Sequence, residues 1–232
     1  MKLFCLTYAG GNAAFYDDLE KQLPDCIQLI KFEYAGHGKR HKENFYITME
    51  ELAQDAFECL KHGIQADEEY ALMGYSMGSI GTTELLKLIL CDSEMRKPKQ
   101  VFLAAHEPHT KSELAGFDSE ENEDLVKERT LKFGAVPSEL INNRIFWRTY
   151  LPVYKADYSI IGKYKFEDLN LKTDVPATVF YSETDTPIHE MEQWQQYFVN
   201  DCEFIRFDGN HFFIKDHLKE IADVIIEKLE SK

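Results

Sequence analysis

Short apolar runs rich in β-branched and aromatic residues alternate with amphipathic stretches of helical period from one end of the chain to the other. The runs predict strands at Lys2 to Thr7, Ile27 to Glu33, Glu69 to Met73, Gln100 to Ala104, Ala177 to Tyr181 and Glu203 to Phe207. Between them the helices are legible. Thr48-Met49-Glu50-Glu51 has the spacing of a capping box, and Met49, Leu52, Ala53, Ala56 and Leu60 then recur on one face. Leu218, Ile221, Ala222, Ile225 and Leu229 do the same in a last helix. Strands alternating with helices are the signature of an α/β domain with a mostly parallel central sheet flanked by helices.

From about Glu107 to Asn170 the rhythm breaks: no strand is credible, and charged helical segments crowd with aromatics. The acidic run Asp118 to Asp124 reads as a solvated helix start, favoured by the helix dipole. Phe146, Trp147, Tyr150, Leu151, Tyr154, Tyr158 and Ile161 form an aromatic-rich helical stripe interrupted by Pro152. With no repeat or linker, the expectation is one domain over residues 1–232 with a helical lid insertion at about 107–170. An insertion there is placed to cover a site, and some of its aromatics to line a pocket.

Composition narrows the classes. A formal net charge of −15 excludes the basic face on which nucleic-acid binding rests. No apolar run is long enough to span a bilayer, and Met1 to Leu6 is too short for a signal peptide's apolar stretch, so a cytoplasmic protein is expected. The cysteines at 5, 26, 59, 91 and 202 are scattered singly, which suggests neither a zinc site nor a disulfide framework.

Chemistry concentrates at Gly74-Tyr75-Ser76-Met77-Gly78, a G-x-S-x-G pattern between a predicted strand and a predicted helix. Such a turn strains the serine backbone and exposes its oxygen, and it needs small neighbours on both sides. A serine hydroxyl is a poor nucleophile without a histidine base and an orienting acid. Asp185 and His211 each follow a predicted strand, in the order Ser, Asp, His, so Ser76, Asp185 and His211 are the expected catalytic residues. Glu183 is the alternative acid, and Asp208 reads as a turn-former.

An oxyanion must also be bound. The N–H of Met77 is one expected donor, and Ala9, in Thr7-Tyr8-Ala9-Gly10-Gly11, is the preferred second, with the glycines allowing close approach of the backbone. His37 with His41, and His106 with His109, are close in sequence but lack a supporting ligand motif, so no metal is expected; His106 and His109 can border the pocket. No G-x-G-x-x-G occurs, which disfavours a dinucleotide fold.

Taken together these residues resemble the type II thioesterases of nonribosomal peptide and polyketide synthesis, in the α/β-hydrolase superfamily. Tyr8-Ala9-Gly10-Gly11 is similar to that family's oxyanion loop, Ala35-Gly36-His37-Gly38-Lys39-Arg40 to its Pro-Gly-x-Gly-x-Arg loop, and Phe207 to Phe212 to its Gly-x-His-aromatic end. Leu151-Pro152-Val153-Tyr154-Lys155-Ala156-Asp157-Tyr158 resembles its Leu-Pro-x-x-Arg-Ala-Asp-aromatic lid segment, which generic esterases lack. Tyr75, Thr7, Ala35 and Lys155 stand where the family usually has His, Pro, Pro and Arg. The resemblance implies an α/β-hydrolase fold and hydrolysis of acyl thioesters carried on phosphopantetheine arms of acyl or peptidyl carrier domains, by a monomer without a cofactor of its own. It also implies substrate contacts from Tyr8, Gly10, Tyr75 and Tyr154. Carrier domains are commonly acidic too, so contact would rest on apolar groups at the lid and on Lys39-Arg40-His41-Lys42, a run otherwise read as a solvated loop. The same triad would serve a carboxylesterase or acyltransferase, and a non-catalytic carrier-binding protein is the reading from another class.

Overall fold

In the computed structural model, residues 1–65, 67–108 and 123–230 are described. Their strands are β1 (Lys2–Leu6), β2 (Gln28–Lys31), β3 (Tyr70–Tyr75), β4 (Val101–Ala104), β5 (Ala177–Tyr181) and β6 (Glu203–Arg206). All pair in parallel in one sheet of order β2-β1-β3-β4-β5-β6. Every strand predicted from the apolar runs is present. The helices are α1 (Asp17–Glu20), α2 (Met49–Gly63), α3 (Met77–Cys91), α4 (Glu123–Lys132), α5 (Arg144–Lys163), α6 (Ile188–Met191) and α7 (Leu218–Glu230).

Side chains of a strand point alternately to its two faces, and β1 shows the result. Phe4 and Leu6 join a core with Met49, Leu52 and Ala56 of α2 and Ile80 and Leu85 of α3. Leu3 and Cys5 join the opposite core with Leu19 of α1 and Ile221, Ala222 and Ile225 of α7. The sheet is thus covered on both faces, which is why β3 reads as an unbroken buried run rather than an alternating one. Helix α2 starts as its sequence requires: the Thr48 side chain accepts from the Glu51 N–H, and the Glu51 carboxylate accepts from the Ile47 N–H.

Between β4 and β5 the described residues form α4, α5 and single turns at Ser138–Leu140 and Phe166–Asp168, with no strand among them. Helix α5 runs unbroken through Pro152, against the expected interruption. Pro152 lies on the exposed side, where water can serve the carbonyl it leaves unpaired, and its neighbours Leu151 and Tyr154 are buried. Of the acidic run, Glu123 and Asp124 form the first turn of α4; its earlier residues and His109 lie outside the described residues.

The tightest backbone packing surrounds the turn from β3 to α3. A Cβ on Gly74 would fall against the backbone of Gly78 and Ser79, and one on Gly78 against the carbonyls of Leu6 and Thr7. Backbone cannot yield as a side chain can. Gly78→Ala is therefore expected to lower the unfolding free energy by about 1–3 kcal/mol or more. Gly81→Ala, on the same helix, adds a methyl 3.0 Å from the flexible ends of Leu52 and Leu6 and should cost less. Urea denaturation of the two variants checks the difference.

Candidate active site

Ser76 sits at the end of β3 and the start of α3 with φ 55° and ψ −120°, a conformation that non-glycine residues rarely adopt. Asp185 lies on the loop after β5 and His211 on the loop after β6, so all three stand at the carboxyl edge of the sheet. His211 Nε2 is 2.9 Å from Ser76 Oγ, and Nδ1 is 2.9 Å and 3.0 Å from the two Asp185 oxygens. An ionised carboxylate only accepts, so Nδ1 carries the proton and Nε2 is left to accept from the serine hydroxyl. Glu183, the alternative acid, has no such contact; it is Asp185 that meets the imidazole. Asp208 pairs with Arg206 at the surface, as suits a turn.

The acid and base loops are fastened to one another. Ser182 Oγ donates to the Gly209 carbonyl at 2.5 Å, and the Thr184 hydroxyl donates to the same oxygen. From beneath, the fully buried Tyr75 donates its hydroxyl to the His211 carbonyl at 2.7 Å. From above, the Phe133 ring lies 4.5 Å from the His211 ring. The histidine is gripped on both sides.

A cavity opens over Ser76, walled by Ala9, Ala105, His106, Glu107, Thr186 and, from the lid, Arg129, Phe133, Tyr158 and Ile161. Neither the Ala9 N–H nor the Met77 N–H has an acceptor among the described residues, while the Gly10 N–H is occupied by Asp157 Oδ2 at 2.6 Å. Arg129 lies over the Phe133 and Tyr158 rings, 5.1 Å and 5.5 Å from their centroids. It brings a guanidinium to the walls, a place that could not be read from a charged helical segment.

Of the four residues expected to touch substrate, none is in these walls. Tyr75 has no exposed surface, and its hydroxyl supports the histidine loop. The Tyr8 ring packs edge-on against Phe15 and Phe212, 4.8 Å from each. Gly10, at φ +78°, lies directly under the Tyr154 ring, which would collide with any Cβ there. His37 and His41 do not converge on one point. His37 Nε2 meets Asp157 Oδ2 at 2.9 Å, whereas His41 Nδ1 donates to the Gly38 carbonyl. In the basic run, Arg40 is committed to Glu43, Asp55 and the Glu33 carbonyl.

The substituted positions have local uses. Where a proline would offer no donor, the Ala35 N–H donates to the Tyr46 hydroxyl at 3.0 Å. Lys155 reaches Glu123 of α4 at 4.0 Å, a single point contact where a guanidinium could fork.

The profile of the thioesterase domain matches residues 1–229. Among characterised relatives, a medium-chain S-acyl fatty acid synthase thioesterase of Rattus norvegicus is 28% identical over 99% of this chain and 88% of its own. The linear gramicidin dehydrogenase LgrE of Brevibacillus parabrevis is 25% identical over the same shares. In fold, ClbQ from the colibactin NRPS/PKS pathway superposes with a TM-score of 0.88 at 24% identity, over 99% of this chain and 96% of its own.

Tyr75→Phe removes the hydroxyl that serves the buried His211 carbonyl. It is expected to lower stability by about 1–3 kcal/mol and kcat several-fold with KM little changed. Urea unfolding and steady-state kinetics on one preparation check both.

Proposed function

This chain belongs to the thioesterase domain family, and from that premise we propose that it hydrolyses acyl thioesters held on the phosphopantetheine arms of carrier domains, clearing stalled or incorrect acyl groups from a peptide or polyketide synthetase. The observation that carries the reading is the hydrogen-bonded chain from Ser76 through His211 to Asp185 beneath a helical lid. In this scheme Ser76 Oγ attacks the thioester carbonyl as His211 Nε2 takes its proton, and Asp185 stabilises the imidazolium. The Met77 and Ala9 amides bind the oxyanion. His211 then returns the proton to the departing thiol of the arm. Water, deprotonated by the same nitrogen, attacks the acyl ester on Ser76; the acyl C–O bond breaks, the acid leaves and His211 returns the proton to Ser76 Oγ.

Two observations favour carrier-bound substrates over free esters. The lid segment Leu151 to Tyr158 resembles the family's run, Lys155 apart, and it forms the middle of α5 against the oxyanion loop. Its relatives also carry names drawn from fatty acid and gramicidin synthesis. With a net charge of −15, long-range attraction would not bring an acidic carrier here, so recognition would rest on the lid surface, where Ile145 and Tyr150 are exposed beside Arg144 and Arg148.

Ser76→Ala is expected to lower turnover of an acyl-loaded carrier at least about a thousandfold. Intact-mass assays of the loaded carrier, acyl-coenzyme A and a simple ester with the same acyl group check the substrate class. The carrier should give a kcat/KM at least about tenfold above the ester, a gap of about 1.4 kcal/mol. Equal rates on all three, or faster transfer to an added alcohol or amine, would replace this reading with a small-molecule esterase or acyltransferase.

A further inference from the structure

A second histidine–aspartate pair lies in the interior, outside the triad. His37 follows β2 and Asp157 projects from α5, and their side chains are 2% and 4% exposed. His37 Nδ1 is 3.0 Å from the Ala35 carbonyl and Nε2 is 2.9 Å from Asp157 Oδ2. A carbonyl can only accept. The Asp157 oxygen already accepts the Gly10 N–H at 2.6 Å, the short distance of a bond to a charged acceptor. Both imidazole nitrogens therefore face acceptors, and a ring that donates from both is a cation.

The surroundings agree with that state. Burial opposes the charged imidazole, yet the Asp157 charge and hydrogen bond, the Ala35 carbonyl and the Glu33 charge together raise its pKa above the ordinary value. The charged and titratable groups facing the ring are Asp157 from the lid and Glu33 and Tyr34 from the chain leaving β2; Tyr34 packs edge-on at 5.5 Å and donates to the Thr7 carbonyl.

We propose that the His37 imidazolium and the Asp157 carboxylate are a positioning pair: Asp157 anchors Gly10, which holds the adjoining Ala9 amide toward Ser76, and His37 neutralises the carboxylate that does so. Two features require the pairing. Gly10 is in the left-handed region under the Tyr154 ring, so the loop's path depends on an outside anchor. A lone carboxylate one residue from an oxyanion donor would oppose the negative charge that develops on substrate, and the imidazolium cancels it. Because Asp157 is on α5, a seated lid and an ordered oxyanion loop are one condition.

This inference rests on the Ser76 hydrolase reading, though not on the carrier as substrate, so its test uses a small soluble acyl thioester and a fluorophosphonate. Asp157→Asn and His37→Gln are expected to lower kcat per titrated active site about 10- to 100-fold, with KM within about threefold, and to slow fluorophosphonate labelling in parallel. A loss confined to the fraction of titratable sites, with unchanged kcat per site, would make the pair merely structural and overturn the proposal. A labelled wild type with unaffected variants removes the pair's role alone; an unlabelled wild type removes the hydrolase reading and this one with it. Wild-type protein supplies an independent readout that no folding defect can blur. Long-range proton–nitrogen NMR at about pH 7.5 should find both His37 ring nitrogens protonated, and a neutral His37 overturns the proposal.

Discussion

The left-handed backbone at Ser76 is the constraint on which the remainder of the site depends. A serine with φ 55° costs about 1–3 kcal/mol relative to an ordinary conformation, so it persists only where packing leaves no other path. That packing is the contact of Gly74 with Gly78 and of Gly78 with the end of β1. With α3 pressed this close, the chain must reverse within one residue. The hydroxyl is thereby fixed at the rim of the sheet, and the Met77 N–H is left at the helix start without a backbone acceptor among the described residues. Ser79, one turn on, adds a second lock: its one hydroxyl proton is shared between the Gly74 and Ala104 carbonyls, and its oxygen accepts from the Ala104 N–H.

The other two members of the triad are held by different means, because loops cannot rely on strain. Adjacent parallel strands bring the loops after β5 and β6 side by side, and hydroxyls of Ser182 and Thr184 bind them through one carbonyl at Gly209. Tyr75 joins this unit to the nucleophile turn, since it neighbours Ser76 and holds the backbone of His211. The imidazole therefore needs little reorientation to meet the serine. Preorganisation of that kind is what lets a hydrogen-bond network act on a transition state rather than on its own rearrangement.

Much of this was legible in sequence for a physical reason. Strand positions, helix faces and the nucleophile turn follow local rules, and the Ser, Asp and His positions each end a strand of a parallel sheet, whose carboxyl ends share an edge. Substrate contacts follow no local rule. The resemblance implies a substrate contact from Tyr75, but a β3 buried on both faces turns its side chain inward. Arg129, Phe133 and Tyr158 reach the cavity only because α4 and α5 fold back over the sheet edge. His37 and Asp157 are 120 residues apart, and neither has a neighbour in sequence that hints at the other. The only signal was that each lies within a segment resembling a family motif.

The chain's large negative charge and its buried carboxylates pose separate problems. Net charge acts through solvent on solubility and encounter and is screened within about 10 Å at ordinary salt, whereas a buried carboxylate acts undamped on its neighbours. Two of the buried ones close to the chemistry are matched by imidazoles: Asp185 by that of His211, and Asp157 by that of His37. Glu84, within α3, is matched by Lys87 and the Tyr164 hydroxyl. A hydrolase that must accumulate negative charge on a substrate oxygen tolerates carboxylates nearby only when their fields are closed locally. Here the closing groups also set geometry: one imidazole turns toward the nucleophile, and the other is locked between the lid and the loop behind it.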